Sequence, residues 1–68
     1  MVMFHTRTMV KILRYDEVAT NFSGKPVRVV GEVGLVVRVN DNGTGLILLR
    51  SSNVVIDGVI PEDCEPAE

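Results

Sequence analysis

Between Val27 and Val39 apolar and β-branched residues recur with a period of two, and no other feature restricts the folds open to this chain so strongly. Odd positions read Val27, Val29, Gly31, Val33, Leu35, Val37 and Val39; even positions read Arg28, Val30, Glu32, Gly34, Val36 and Arg38, with Asn40 following. Successive side chains of a strand point to opposite faces, so the odd set predicts an apolar inner face and the even set a mixed outer one. At 13 residues the run exceeds the usual strand of about five or six. It must bend to keep its inner face covered, and Gly31 and Gly34 are where bending costs least.

The flanking sequence extends the same pattern. Asn40-Asp41-Asn42-Gly43 supplies residues that accept positive φ and predicts a tight turn. The next strand, Gly45 to Arg50, reads "GLILLR", with apolar residues on both parities as in a strand covered on both faces. Ser51-Ser52-Asn53 turns again into "NVVIDGVI", with Val54, Ile56, Gly58 and Ile60 as the inner set and Asn53, Val55, Asp57 and Val59 as the outer. Upstream, Met9, Ile12, Leu13, Tyr15, Val18, Ala19 and Phe22 are spaced by threes and fours. That spacing predicts a short helix over residues 16–22, with Asp16 and Glu17 in its first turn and Ser23-Gly24 and Pro26 as its end signal.

Three segments follow from this reading: a basic N-terminal arm over residues 1–15, a folded unit over 16–60, and an acidic, poorly ordered tail over 61–68. Arg7, Lys11 and Arg14 give the first its charge, and Glu62, Asp63, Glu65 and Glu68 the last. Sixty-eight residues make one domain, of a size that buries only about 60% of the unfolded chain's surface. Cys64 and His5 are each the sole residue of their type, so neither an internal disulfide nor a tetrahedral Cys/His zinc site can form. Burial against a partner remains as a stabiliser. A lone thiol fits a reducing compartment, and no apolar run approaches the roughly 20 residues that cross a bilayer. The expectation is a soluble protein with no membrane partner.

Catalysis finds no support in these residues. A Ser or Cys nucleophile needs a base within reach, and His5 and Cys64 lie in opposite terminal segments. "SGKP" lacks the P-loop's upstream glycine, having Ala19 there, and has Pro26 where the magnesium-binding hydroxyl belongs. Glu32, Asp41 and Asp57 are scattered without a metal-ligand spacing. The reading is a non-enzyme with no cofactor, no metal and no small-molecule substrate.

The order of a helical segment, a long glycine-kinked strand, an Asn-Gly hairpin and two further strands predicts an all-β fold, an OB-fold-like Greek-key barrel of which the chain supplies the first three strands. An SH3-like or Sm-like barrel satisfies the same period and turns. "FSGKPVRVVGEVGLV", Phe22 to Val36, resembles the first-strand signature of the replication-protein-A small-subunit family, and the likeness continues loosely through "GTGLILLRSSNVVIDGVI". The resemblance implies a non-catalytic assembly subunit of a heterotrimeric single-stranded DNA-binding complex, acting in nuclear DNA replication and repair. Its partners would be larger OB-fold subunits, with single-stranded DNA reached through the complex.

The alternative is a direct nucleic-acid-binding module, either a telomere-capping OB protein or an Sm-like RNA-binding subunit; a third reading is a mitochondrial or unrelated β-barrel adaptor. Nucleic-acid candidates are Lys25 and Arg28 at the start of the long strand, Arg38 on its outer face and Arg50 at the end of the next strand. A net charge of −2 and the lack of aromatic residues on the predicted strands argue for assembly ahead of nucleic-acid contact. Phe22 is expected to plug the barrel end and Tyr15 to pack against the helix.

Overall fold

The computed structural model describes residues 3–67. The outermost positions of the expected arm and tail, residues 1, 2 and 68, lie outside them. The strands are β1 (Met9–Ile12), β2 (Ala19–Thr20), β3 (Pro26–Val27), β4 (Val33–Val39), β5 (Gly45–Leu49), β6 (Val55–Val59) and β7 (Cys64–Pro66), with a 3₁₀ turn over Pro61–Asp63 between the last two. Five of them form one antiparallel sheet in the order β6-β5-β4-β1-β7, while β2 and β3 make a separate two-stranded hairpin. The protein is therefore mostly β, as its periodicity requires. Among the described residues no helix is long and apolar enough to cross a membrane.

The chain itself supplies five sheet strands, where three were expected. Residues 9–12 form β1, between β4 and β7 in the sheet, with Met9 opposite Leu35 and Ile12 opposite Cys64. Ile12 is fully buried. The "tail" is equally structural: Pro61 and Cys64 are buried, the Asp63 carbonyl accepts from the backbone N–H groups of Leu13 and Arg14, and Ala67 N–H donates to the Met9 carbonyl. Arg14 and Asp63 also form an ion pair at 3.2 Å, a minor contribution because the Arg14 side chain is exposed.

No helix forms over residues 16–22. The helical spacing does not correspond to a buried stripe, since Val18 is 78% exposed and Phe22 fully so. Local hydrogen bonding favours a hairpin instead. The Asn21 side-chain oxygen accepts from the N–H groups of Ser23 (2.9 Å) and Lys25 (3.1 Å), and Gly24 adopts φ +78°. Asn competes with helical backbone pairing in this way.

The inner and outer faces also differ from the expected alternation. Residues 27–39 are not one ribbon: Gly31 at φ +89° and the Glu32 N–H to Val29 carbonyl bond make a turn that resets the phase. In β4 the buried positions are Gly34 and Val36, while Val37 is 41% exposed. The register shift between Val36 and Arg38 against β5 places Val37 in a bulge. In β6 Ile56 and Val59 are buried, and the register shift opposite Gly45–Ile47 coincides with Gly58 at φ +76°. An added residue on one strand inverts the parity beyond it.

The β4–β5 turn follows the sequence reading, with Asn40 N–H bonded to the Thr44 carbonyl at 2.8 Å. β5 buries Gly45, Ile47 and Leu49. The core gathers Phe4, Val10, Ile12, Ala19, Val29, Val36, Ile47, Leu49, Ile56, Val59 and Cys64, with Tyr15 packed at its margin. Both edge strands are protected against adding a further strand: β6 by its bulge and Asp57, β7 by its three-residue length and its Glu65 and Pro66.

Candidate interaction surface

The β2–β3 hairpin carries its most conspicuous side chain at the tip. Phe22 stands at 101% exposure beside a groove of about 280 Å³ lined by Thr20, Asn21, Asn53, Val54 and Val55. It therefore does not plug the core, contrary to the sequence reading. From Val18 to Gly31 the sequence contains Lys25 and Arg28 and no acidic residue, and both cations are exposed. The Asn21 hydrogen bonds fix the turn, so the ring projects from a braced loop.

The other sequence candidates do not join this group. Arg38 is held by its own strand end, its Nε donating to Asn40 Oδ1 at 3.2 Å. Asn40 in turn donates to Asp57 Oδ1 at 2.9 Å. Asp57 titrates below the usual carboxylate range because it accepts from the Asn40 side chain and the Gly58 N–H, with Arg38 adding a favourable charge. Arg50 lies at the opposite end of the β4–β5 ribbon, its N–H on the Val33 carbonyl. Leu46, opposite Arg38, is four residues from Arg50, or roughly 13 Å along an extended strand. Lys25, Arg28, Arg38 and Arg50 are all exposed, but only Lys25 lies in the β2–β3 hairpin, with Arg28 directly after its second strand.

A second groove, about 340 Å³, runs beside β1 and β7 and is lined by residues that include Phe4, His5, Met9, Pro61, Cys64 and Glu65. The structure thus brings His5 and Cys64 to one groove, which their distance in sequence did not suggest. It does not activate the thiol. Burial, with a smaller contribution from Asp63, pushes Cys64 up from 9.0 to about 11, the reverse of what a nucleophilic cysteine requires.

The folded state therefore holds the Cys64 proton more tightly than the unfolded chain, and the associated stability is complete below about pH 9 and lost as pH rises toward 11. Unfolding free energies from urea titrations at pH 8 and upward are expected to fall over that window by on the order of 1–2 kcal/mol. Cys64→Ala should flatten most of the fall. The remainder belongs to Tyr15, raised by its own burial and by Glu17 and Asp57. An unchanged slope in Cys64→Ala would show that the thiol is not the responsible group.

The outer face of the main sheet was not singled out by sequence reasoning. Met9 lies opposite Leu35, Leu35 opposite Leu48, and Leu48 opposite Val55, so one apolar row crosses β1, β4, β5 and β6 in register. Val55 also lines the Phe22 groove. The signal was present in "GLILL", whose apolar residues fall on both parities although the chain buries only one of its faces.

Among the described residues no three His, Cys, Asp or Glu side chains are grouped to hold a metal ion. No family model matches the chain, and no curated protein or solved structure matches it.

Proposed function

We propose that this protein is a non-catalytic β-barrel adaptor that docks on a partner protein through the tip of its β2–β3 hairpin. The observation that carries the reading is the full exposure of Phe22 on a braced turn. A rigid aromatic side chain that loses all its water on binding is the usual form of an interface anchor. Lys25 in the same turn, with Arg28 directly after β3, both in an acid-free segment, define the complement: an apolar pocket with carboxylates at its rim.

The connectivity supports an SH3-like barrel more than the OB-fold. A hairpin excursion separates β1 from a β4-β5-β6 meander, and a 3₁₀ turn leads β7 back to the free side of β1. The long continuous strand on which the OB reading depends is interrupted by the turn at Gly31. Within the adaptor reading, the resemblance over Phe22–Val36 names one specific host, a replication-protein-A-like complex in which the partner is a larger OB-fold subunit.

The exposed Phe22 favours one further reading. A base can stack on its ring while Lys25 and Arg28 meet phosphates, with such a stack contributing about 1–3 kcal/mol. The two readings separate by salt dependence and by ligand.

Partners captured by the full chain from its own cells, then reconstituted from purified components, provide the test. Phe22→Ala should leave the thermal midpoint essentially unchanged, a surface substitution costing within about 0.5 kcal/mol. It should weaken the reconstituted complex by roughly thirtyfold or more, as removal of an anchor worth at least ~2 kcal/mol does. Unaltered affinity would remove the hairpin-anchor reading. Tight, salt-sensitive binding of an oligonucleotide that Phe22→Ala abolishes would transfer the site to nucleic acid.

A further inference from the structure

We infer that the Phe22 anchor docks in the groove beside β1 and β7 of a second copy of this chain, so that copies associate head to tail. The inference rests on the hairpin-anchor reading and names a partner for that same site.

The chain carries both halves of the contact. The anchor calls for an apolar pocket with a carboxylate at its rim, and the groove beside β1 and β7 has that form. Met3, Phe4, Met9 and Pro61 line it, Glu65 is its one acidic residue, and no Lys or Arg is among its described lining residues. An apolar cavity of about 150 Å³ holds a benzene ring, so the groove's volume of about 340 Å³ admits the ring of Phe22. Met3 and Met9 are unbranched and polarizable, and sulfur–aromatic contacts favour an entering ring. The smaller groove beside Phe22 has Thr20, Asn21 and Asn53 in its lining and no carboxylate, so it does not match.

The contact forms between copies, not within one. Phe22 is fully exposed, so its ring occupies no groove of its own chain. The hairpin tip stands beside Val54 and Val55, at β6, whereas the receiving groove lies at β7, and the order β6-β5-β4-β1-β7 puts these strands at the two ends of the sheet.

Charge is divided in the same sense. Residues 18–31 hold Lys25 and Arg28 with no acid, and residues 61–68 hold Glu62, Asp63, Glu65 and Glu68 with no base. Asp63 is paired with Arg14. Lys11 stands opposite Glu65 in the β1–β7 ladder, but among the described residues Glu65 forms no ion pair. In the docked pair Lys25, three residues from Phe22 in the same turn, meets Glu65 at the rim. Each copy presents one anchor and one groove, so the contact is heterologous and propagates unless its rotation closes a ring.

Sedimentation velocity of the full chain over a wide concentration range tests this. The parent chain is expected to shift from the 7.5 kDa monomer through twice that mass to larger species as concentration rises. Phe22→Ala removes the anchor and should raise the concentration needed by roughly thirtyfold or more. The double variant Met3→Lys/Glu65→Lys makes the groove cationic and should do the same; both positions are exposed, so far-ultraviolet circular dichroism should stay native. Mixed where neither associates alone, the two variants should form a one-to-one dimer and nothing larger, because the mixture keeps one intact anchor and one intact groove. Misfolding cannot imitate that complementation. A parent chain that stays monomeric up to its solubility limit would overturn the inference, as would association that survives Phe22→Ala or a mixture that stays monomeric. None of these results touches the hairpin-anchor reading, which fails only if Phe22→Ala leaves the reconstituted partner complex unweakened.

Discussion

A chain ending at Ile60 is expected to lose cooperative folding. The segment beyond it contributes buried Pro61 and Cys64, the β7 ladder on β1, and the Asp63 carbonyl that receives Leu13 and Arg14. Without these groups Ile12, fully buried in the intact chain, faces water on the β7 side, and the backbone of β1 becomes an open edge. A domain of this length has a total stability of roughly 3–10 kcal/mol. Loss of two small buried side chains at about 1–2 kcal/mol each, together with several backbone bonds, removes much of it. The measurement is a urea or thermal transition followed by circular dichroism, with the expectation of a broad or absent transition. A native-like transition would mean that residues 61–67 are dispensable and that their contacts add little.

The second large effect lies at the crossing of β4 and β5. Gly34 pairs with Leu49 across the ladder, and a Cβ added at Gly34 would collide with the Ile47 side chain and stand 3.0 Å from the Leu48 carbonyl oxygen and 3.3 Å from Leu49 Cδ2. Ile47 is itself fully buried. Ile47→Ala is expected to cost about 2–5 kcal/mol through lost burial and the cavity left behind. Gly34→Ala should cost about 1–3 kcal/mol by overpacking.

The two changes are not independent. Shortening Ile47 removes the nearest obstacle to the new methyl group, which then occupies part of the cavity. The double variant should be less destabilised than the sum of the two single ones, with a coupling of about 0.5–3 kcal/mol. Denaturant titration of all four proteins gives the cycle. Strict additivity would show that Gly34 is required by its backbone, not by the approach of Ile47.

Some of this architecture is written locally. The Asn40–Gly43 turn follows from residues that accept positive φ, as Gly43 does at +88°, and the strand after it follows from its β-branched and aliphatic run. The exposure of Lys25, Arg28, Arg38 and Arg50 is likewise what charged side chains dictate. Their failure to converge is not, because it depends on which strand ends lie together. The helix expected over residues 16–22 illustrates the same limit. Val18, Ala19 and Phe22 have helical spacing, but nothing in the fold stands opposite Val18 or Phe22 to receive them, and Asn21 closes a hairpin instead.

Sequence by itself determined that this chain would be built from strands, where the Asn-Gly turn would fall, and that Cys64 and His5 supply neither an internal disulfide nor a tetrahedral Cys/His zinc site. Those properties belong to period, turn chemistry and residue count, which are local or purely numerical. Only the tertiary structure decided which face of each strand lies inside, that residues 9–12 and 64–66 are paired strands, and that Phe22 projects into water. A turn at Gly31 and bulges at Val37 and Gly58 each shift the phase, and β1 and β7 meet across most of the chain's length. Such choices are made by the simultaneous packing of distant segments, and no local window of residues contains them.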